Sequence, residues 1–166
     1  MWPHLAHVLS AKDYVRLFLT GELATDLSDA SATALLNVQQ RTWCDELLRA
    51  VNIPIDRLPP LRSSTEVAGH LTHEAARAMD LPVGLPVMCG AGDQEAQAIG
   101  NGIIRSGLLS STIGTGGQLF TPIDRYRSLS IGSEVAPSHV LPCAARSVAL
   151  ASGNVDGGCS MALAAR

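Results

Sequence analysis

The sequence is short of charged and aromatic side chains. Of its 166 residues only 16% are charged and 4% are aromatic, and the formal net charge is -3. An average soluble domain carries roughly 25% charged residues. Two explanations stay open: the surface of this chain is unusually neutral, or part of it is covered by another protein surface.

Further absences exclude several classes of protein. No cluster of lysine and arginine is present, and a nucleic-acid-binding protein needs one to meet the phosphate backbone. No uninterrupted apolar run reaches the roughly 18 residues of a membrane span. Residues 1–4 lack the basic and apolar regions of a signal peptide. We therefore predict a cytoplasmic protein that binds neither nucleic acid nor a membrane.

The cysteines and histidines form no recognisable ligand pattern. No C-x-x-C pair occurs among the four cysteines, Cys44, Cys89, Cys143 and Cys159. Neither a disulfide framework nor a zinc site is predicted, and free buried thiols are expected. Two pairs of histidines are three residues apart but have no third ligand at a recognisable interval. No metal site is predicted from them.

The first hundred residues predict alternating helices and strands. Two amphipathic helices are expected first: Leu5 to Thr20, stopped by Gly21 and with Val15, Phe18 and Leu19 as an apolar stripe, and Trp43 to Val51, with Leu47, Leu48 and Val51 inward. Between them, Thr25 to Ser31 suits turns or a short capped helix. A strand over Val67 to Leu71, a helix capped by Thr72, a doubly covered strand over Leu85 to Cys89 and a helix over Gln94 to Ile99 follow. This order predicts an α/β fold.

The rest of the chain is predicted to be rich in strands. Three are expected, over Leu108 to Ile113, Gln118 to Ile123 and Val148 to Ser152, with a final helix that runs to Arg166. A boundary between two parts is predicted near Gly102 to Ser106, where the α/β pattern gives way to hairpins.

Asp93 is the first candidate for chemistry. It follows a predicted buried strand and opens a helix, and open α/β sheets bind ligands at such strand ends. There its carboxylate could accept a proton from a hydroxyl group, or it could merely cap the helix. The preceding Gly90-Ala91-Gly92 is not a dinucleotide fingerprint, because Glu95 stands where the last glycine is needed.

Two glycine-rich segments are candidate anion sites. Gly114-Thr115-Gly116-Gly117 separates two predicted strands. Its backbone N–H groups and hydroxyl could face a phosphate, or it could be a plain hairpin turn. Gly153 to Gly158 is either a second such turn or a flexible strand-to-helix loop. No G-x-S-x-G elbow is present, so a serine hydrolase is not supported.

Together these segments resemble the FGGY carbohydrate kinases, closest to their xylulose-phosphorylating branch. The likeness runs in order through Lys12 to Arg16, Leu19 to Glu22, Ala24 to Ser31, Ser64 to Gly69, Gly90 to Asp93, Gly100 to Gly102 and Ile113 to Gly117, and more faintly through His139 to Pro142. The resemblance implies part of an actin-like ATPase (ribonuclease H-like) fold. Residues 1–104 would belong to the sugar-binding first domain, and residues 105–166 would begin the nucleotide-binding second domain.

The resemblance also implies roles for individual residues. Asp93 would be the catalytic base that deprotonates the sugar, and Gln94 would help to hold the sugar, although the family often has asparagine there. Gly114, Thr115, Gly116 and Gly117 would contact the phosphates of ATP, with Mg²⁺ bridging the phosphate oxygens. The implied reaction converts D-xylulose to D-xylulose 5-phosphate, and a homodimer is expected for the complete enzyme.

The family is about three times longer than this chain, so the sequence resembles its central third. The family's N-terminal phosphate hairpin and most of its adenosine-binding domain have no counterpart here. We therefore expect the 166-residue chain alone to be inactive. The alternatives are a kinase for another sugar or polyol, and an inactive remnant of the fold that acts as a binding module. A metal-dependent hydrolase using Asp93 ranks last, because no second cluster of carboxylates is present.

Overall fold

The computed structural model describes residues 5–113, 116–123, 147–154 and 158–161. Five α-helices lie within these ranges: α1 Ala11–Thr20, α2 Leu27–Ala32, α3 Asp45–Ala50, α4 His73–Met79 and α5 Asp93–Gly100. A single 3₁₀ turn covers Ile55–Arg57. Each described helix is too short or too polar to traverse a lipid bilayer.

The strands of the first hundred residues form three separate pairs. They are β1 Thr25–Asp26, β2 Leu36–Asn37, β3 Thr42–Trp43, β4 Leu61–Arg62, β5 Val67–His70 and β6 Pro86–Met88. β1 pairs with β4 in parallel, whereas β2 with β3 and β5 with β6 are antiparallel pairs. Helices and strands thus alternate as predicted, in short pairs rather than in one wide sheet.

Strands β7 to β10 form one antiparallel sheet. They are β7 Ser110–Ile113, β8 Gly116–Ile123, β9 Ser147–Asn154 and β10 Gly158–Met161, in the order β10-β9-β8-β7. The predicted hairpin is confirmed, since Ile113 lies opposite Gly117. Gly153 lies in β9 and Gly158 begins strand β10 rather than a helix, so the strand-to-helix interpretation is wrong there. Residues 162–166 of the predicted final helix lie outside the described residues.

Local capping signals locate the helix ends. The Thr72 hydroxyl accepts from the Ala75 N–H at 3.2 Å and starts α4, as predicted. Asp26 caps α2 by accepting from the N–H groups of Ser28 and Asp29. Gly21 ends α1 with φ of 75°, a left-handed conformation that glycine adopts without strain. Helix α1, however, begins at Ala11 rather than at Leu5, because Ser10 already has extended backbone.

The predicted apolar faces do not coincide with the buried faces. Helix α1 buries Asp13, Arg16 and Thr20, whereas Val15 and Phe18 of its apolar stripe are exposed. In α3 only Leu48 is buried. Strand β6 is not covered on both faces in the described structure, because its side chains are exposed or half-buried and it pairs only with β5.

The described core consists of small clusters rather than one apolar layer. Ala24, Ala68 and Cys89 form one cluster beneath α1. Leu71, Ala75 and Ala76 form another between β5 and α4. Ala98 of α5 packs on Phe120 of β8 and so joins the last helix to the antiparallel sheet.

Candidate active site

Asp93 opens helix α5 beside the end of β6. The structure puts Gly92 at the N-cap and Asp93 at the first helical position, with its side chain exposed to solvent. The alternative that Asp93 merely caps the helix is therefore wrong. Its carboxylate lies in solvent at a helix N-terminus, where the helix dipole favours a negative charge.

Glycine is required in the turn that leads to Asp93. Gly90 has φ of 82°, which side-chain-bearing residues rarely adopt. A Cβ on Gly92 would lie 2.4 Å from Oε2 of Glu95, so the Glu95 carboxyl would have to shift to make room for it. The two glycines thus serve the local backbone geometry, in agreement with the rejection of a dinucleotide fingerprint.

Hydrogen bonds to two segments, one containing Ser64 and Glu66 and the other Ser28, hold the backbone of this turn. The Cys89 N–H donates to the Glu66 carbonyl at 2.8 Å, and the Gly90 N–H donates to the Ser64 carbonyl at 3.0 Å. The Gly92 N–H donates to Oγ of Ser28 at 2.9 Å. Gly90 and Gly92 have no side chains that could pack, so these hydrogen bonds fix the backbone of the turn instead.

The Cys89 carbonyl is bound by two cations from α1. Nη1 of Arg16 donates to it at 2.8 Å, and Nζ of Lys12 at 3.3 Å. Asp13 lies between them, with Oδ1 at 2.7 Å from Lys12 Nζ and 2.8 Å from Arg16 Nη2. Arg16 also donates to the Ala24 carbonyl. The polar face of α1 is therefore buried against the end of β6.

Two more carboxylates complete a network around Lys12. Asp26 is fully buried, and its Oδ1 lies 3.0 Å from Lys12 Nζ. Asp29 Oδ2 lies 3.3 Å from the same nitrogen and also accepts from the Ser10 hydroxyl at 3.2 Å. We call Lys12, Asp13, Arg16, Asp26 and Asp29 the ionic network. It joins α1 and α2 to the turn before Asp93.

The surroundings favour the charged forms of Lys12 and Asp13 in the ionic network but disfavour the charge on Asp29. Burial opposes the charge on Lys12, but hydrogen bonds to Asp13 and Asp26 outweigh it and raise the lysine pKa. Burial likewise opposes the Asp13 carboxylate, yet bonds from Lys12, Thr25 and Ser10 lower its pKa. Burial raises the pKa of Asp29, which Lys12 only partly offsets.

Glu95 is the most perturbed group near the turn. Its side chain is 3% exposed, and Oε1 is buried without a hydrogen-bond partner. Burial, with the nearby carboxylates of Asp26, Asp29 and Asp93, raises its pKa from 4.5 to about 7. The neutral form of Glu95 is therefore favoured well above the pH at which an ordinary glutamate ionises, and Glu95 interacts with the charge of Asp93.

The other predicted site residues fall into two places. Gln94 is half-buried directly after Asp93. Gly116 and Gly117 begin β8, where they pair with Asn154 and Gly153 of β9, and Gly114 and Thr115 lie outside the described residues. The Ala98–Phe120 contact makes the helix of Asp93 and the hairpin strand neighbours. Their roles toward a sugar or a nucleotide stay predictions.

No metal centre or disulfide is built from the described side chains. Within the described ranges no group of three or more histidine, cysteine, aspartate or glutamate residues could hold a metal ion. Cys44 and Cys89 are free thiols; Cys89 is buried, as predicted, whereas Cys44 is only half-buried, and Cys143 lies outside the described residues. Burial raises the pKa of Cys89, which keeps this thiol protonated and unreactive.

The ionic network and Glu95 were missed as functional candidates. A signal for the first was present, because Asp13, Arg16 and Thr20 recur at the spacing of one helix face. Polar residues at that spacing normally indicate a solvated face. No local signal marks Glu95 as buried, since its burial depends on Gly92 and α2 behind it.

Comparison with known proteins gives consistent matches. Residues 3–100 match the family model described as the FGGY family of carbohydrate kinases, N-terminal domain. A xylulose kinase of Klebsiella pneumoniae is 41% identical over 121 residues, which are 73% of this chain and 25% of that protein.

Solved structures agree with these sequence matches. A xylulose kinase from Rhodospirillum rubrum has a TM-score of 0.73 and 27% identity over 91% of this chain and 30% of its own. A gluconate kinase from Lactobacillus acidophilus has a TM-score of 0.73 and 28% identity over 90% of this chain and 30% of its own. The predicted actin-like ATPase fold, present here in part, is thereby confirmed. The chain spans less than a third of the length of these proteins.

Proposed function

Because the chain belongs to the FGGY family of carbohydrate kinases, we propose that the protein carrying this sequence transfers the γ-phosphate of ATP to a sugar hydroxyl. The preferred substrate in this proposal is D-xylulose, with D-xylulose 5-phosphate as product. The observation that carries the proposal is the exposed carboxylate of Asp93 on a turn whose backbone is held by Glu66, Ser64 and Ser28.

Asp93 takes the role of general base. Phosphoryl transfer depends mainly on positioning and on neutralising charge, with a carboxylate that orients the attacking hydroxyl and accepts its proton. Asp93 meets the first requirement because its backbone is fixed, and the second because its side chain is exposed. Gln94, the next residue on α5, is placed to donate or accept a hydrogen bond with the same sugar.

The nucleotide is proposed to bind at the glycine hairpin. Gly114 to Gly117 would offer backbone N–H groups to the phosphates, as glycine-rich turns do. Mg²⁺ would arrive with ATP and be held in part by its phosphate oxygens. In this proposal residues 1–104 serve the sugar and residues 105–166 begin the nucleotide domain.

The identity of the sugar is the least constrained part of the proposal. Xylulose is favoured by the relative from Klebsiella pneumoniae. Gln94 favours a second candidate substrate, another sugar or a polyol, because the family often has asparagine at this position. The gluconate kinase from Lactobacillus acidophilus and the xylulose kinase from Rhodospirillum rubrum match this chain with the same TM-score, 0.73. Substrate choice therefore has to be measured across several classes.

A coupled assay with a matched pair of variants tests this function. In a full-length kinase carrying this sequence, Asp93→Asn should abolish transfer to sugar while ATP still binds. Asp45→Asn is the control, because Asp45 is also an exposed aspartate at the first position of a helix. Turnover should be compared for ketopentoses, sugar acids and polyols. Near-normal turnover of Asp93→Asn, or a wild type that phosphorylates none of these compounds, would contradict the proposal.

Three properties of the whole protein are proposed with it. It acts in the cytoplasm, where ATP is available. It forms a homodimer, which light scattering after size-exclusion chromatography would test. The 166-residue chain assayed alone hydrolyses no ATP in response to a ketose, because it spans less than a third of its relatives. Turnover of that chain at an ordinary kinase rate would contradict this last point.

A further inference from the structure

The turn from Cys89 to Gly92 is held at both ends by buried or half-buried polar side chains. Lys12 and Arg16 bind the Cys89 carbonyl at its start. Ser28 accepts from the Gly92 N–H at its end, 2.9 Å away. Asp93 follows directly, so the direction of its backbone depends on how Gly92 is held.

The acceptor at Gly92 is itself immobilised. Ser28 is 1% exposed, and its hydroxyl hydrogen is donated to Oδ2 of Asp26. The same oxygen accepts the Ser28 N–H at 2.7 Å. With its hydrogen committed to Asp26, the Ser28 oxygen can only accept, and the Gly92 N–H takes that position.

The carboxylate behind Ser28 is also fixed. Asp26 Oδ1 lies 3.0 Å from Lys12 Nζ, and that nitrogen lies 3.3 Å from the Cys89 carbonyl. The contacts therefore close a circuit from Cys89 through Lys12, Asp26 and Ser28 to Gly92. A shift of α2 against β6 would break it at the bond between Ser28 and Gly92.

We infer that Ser28 is a positioning residue for phosphoryl transfer, acting through the Gly92 N–H on the orientation of Asp93. This inference rests on the proposed function. Glycine has wide conformational freedom, so the hydrogen bond from the Gly92 N–H to Ser28 is a direct restraint on this residue. Losing the acceptor releases the residue that aims the base, and a misplacement of about 1 Å can cost roughly 100-fold in rate.

The test compares two buried serines of the same helix in the full-length kinase carrying this sequence. Ser28→Ala should lower kcat by about 10- to 100-fold, with KM for ATP unchanged. Ser31→Ala is the control: Ser31 is also buried, and its hydroxyl donates to the Ser28 carbonyl at 2.7 Å. Ser28→Thr keeps the hydroxyl and should restore most of the lost kcat.

A purely structural role would produce a different pattern. Thermal unfolding of each variant separates loss of fold from loss of rate, and Ser28→Cys, of similar size but a weak acceptor, replaces Ser28→Ala if the alanine variant does not fold. Equal kcat in the Ser28 and Ser31 variants, with Asp93→Asn inactive, would overturn this inference alone. A wild type without any sugar kinase activity would overturn both it and the proposed function.

Discussion

Replacing Glu95 by glutamine should remove a pH-dependent cost from the folded chain. The Glu95 side chain is 3% exposed, and Oε1 has no hydrogen-bond partner. Ionising it places a charge in a poorly hydrated site near Asp26, Asp29 and Asp93, and so its pKa is raised from 4.5 to about 7. Glutamine has nearly the same shape and stays neutral at every pH.

The sign follows from proton binding. Because the folded form has the higher pKa, it holds the Glu95 proton between pH 4.5 and about 7 while the unfolded form loses it. The contribution of Glu95 to the free energy of unfolding is therefore highest below pH 4.5 and falls as the pH rises through 7. The loss is about 1.4 kcal/mol per pH unit in that window, or roughly 3 kcal/mol in all.

Urea unfolding followed by circular dichroism between pH 4.5 and 8.5 measures this term. The stability of Glu95→Gln minus that of the wild type should rise by roughly 3 kcal/mol over the range. Titration of groups far from Glu95 cancels in the difference, whereas Asp26, Asp29 and Asp93 interact with Glu95 and are part of the measured effect. Glu46→Gln, at an exposed position of α3, supplies the baseline for losing one carboxyl group. A difference that is flat, or that falls with pH, would refute a buried, poorly solvated Glu95.

Two further substitutions test the packing behind the site by the same urea titrations. Gly69→Ala should destabilise by about 1–3 kcal/mol, because the new Cβ would lie 2.8 Å from Thr20 Cβ; Gly84→Ala, where no atom lies within 4 Å but φ is 78°, shows how much backbone strain alone contributes. Asp26→Ala should cost about 3–5 kcal/mol, since it removes the cap of α2 and leaves Lys12 without one of its buried partners. A loss below 1 kcal/mol for Asp26→Ala would mean that Lys12 is better hydrated than its contacts indicate.

Short-range signals in the sequence were sufficient for much of the fold. Thr72 and Gly21 determine helix ends through bonds and torsions within a few residues of themselves. The hairpin between β7 and β8 follows from glycines between two strand-forming runs. The position of Asp93 at the start of a helix was predictable because a strand, a glycine turn and a helix follow one another along the chain.

Burial was harder to predict because it depends on distant partners. The charged face of α1 is buried since Arg16 and Lys12 reach the carbonyl of Cys89, more than 70 residues away. Ser28 contacts Gly92 across 64 residues. Hydrophobic periodicity along one helix carries no information about either contact. Periodicity therefore located α1 but indicated the wrong face as its interior.

The structure shows where some of the few charged residues of this sequence lie. Several of the few charges, Asp13, Arg16, Asp26 and Glu95, are buried beneath the candidate site rather than spread over the surface. The outer face of α1 instead exposes Tyr14, Val15 and Phe18, the last at 76%. Composition alone could not show that these charges lie in the interior. Of the two explanations left open by composition, a surface partly covered by further protein accounts better for an apolar helix face in contact with water.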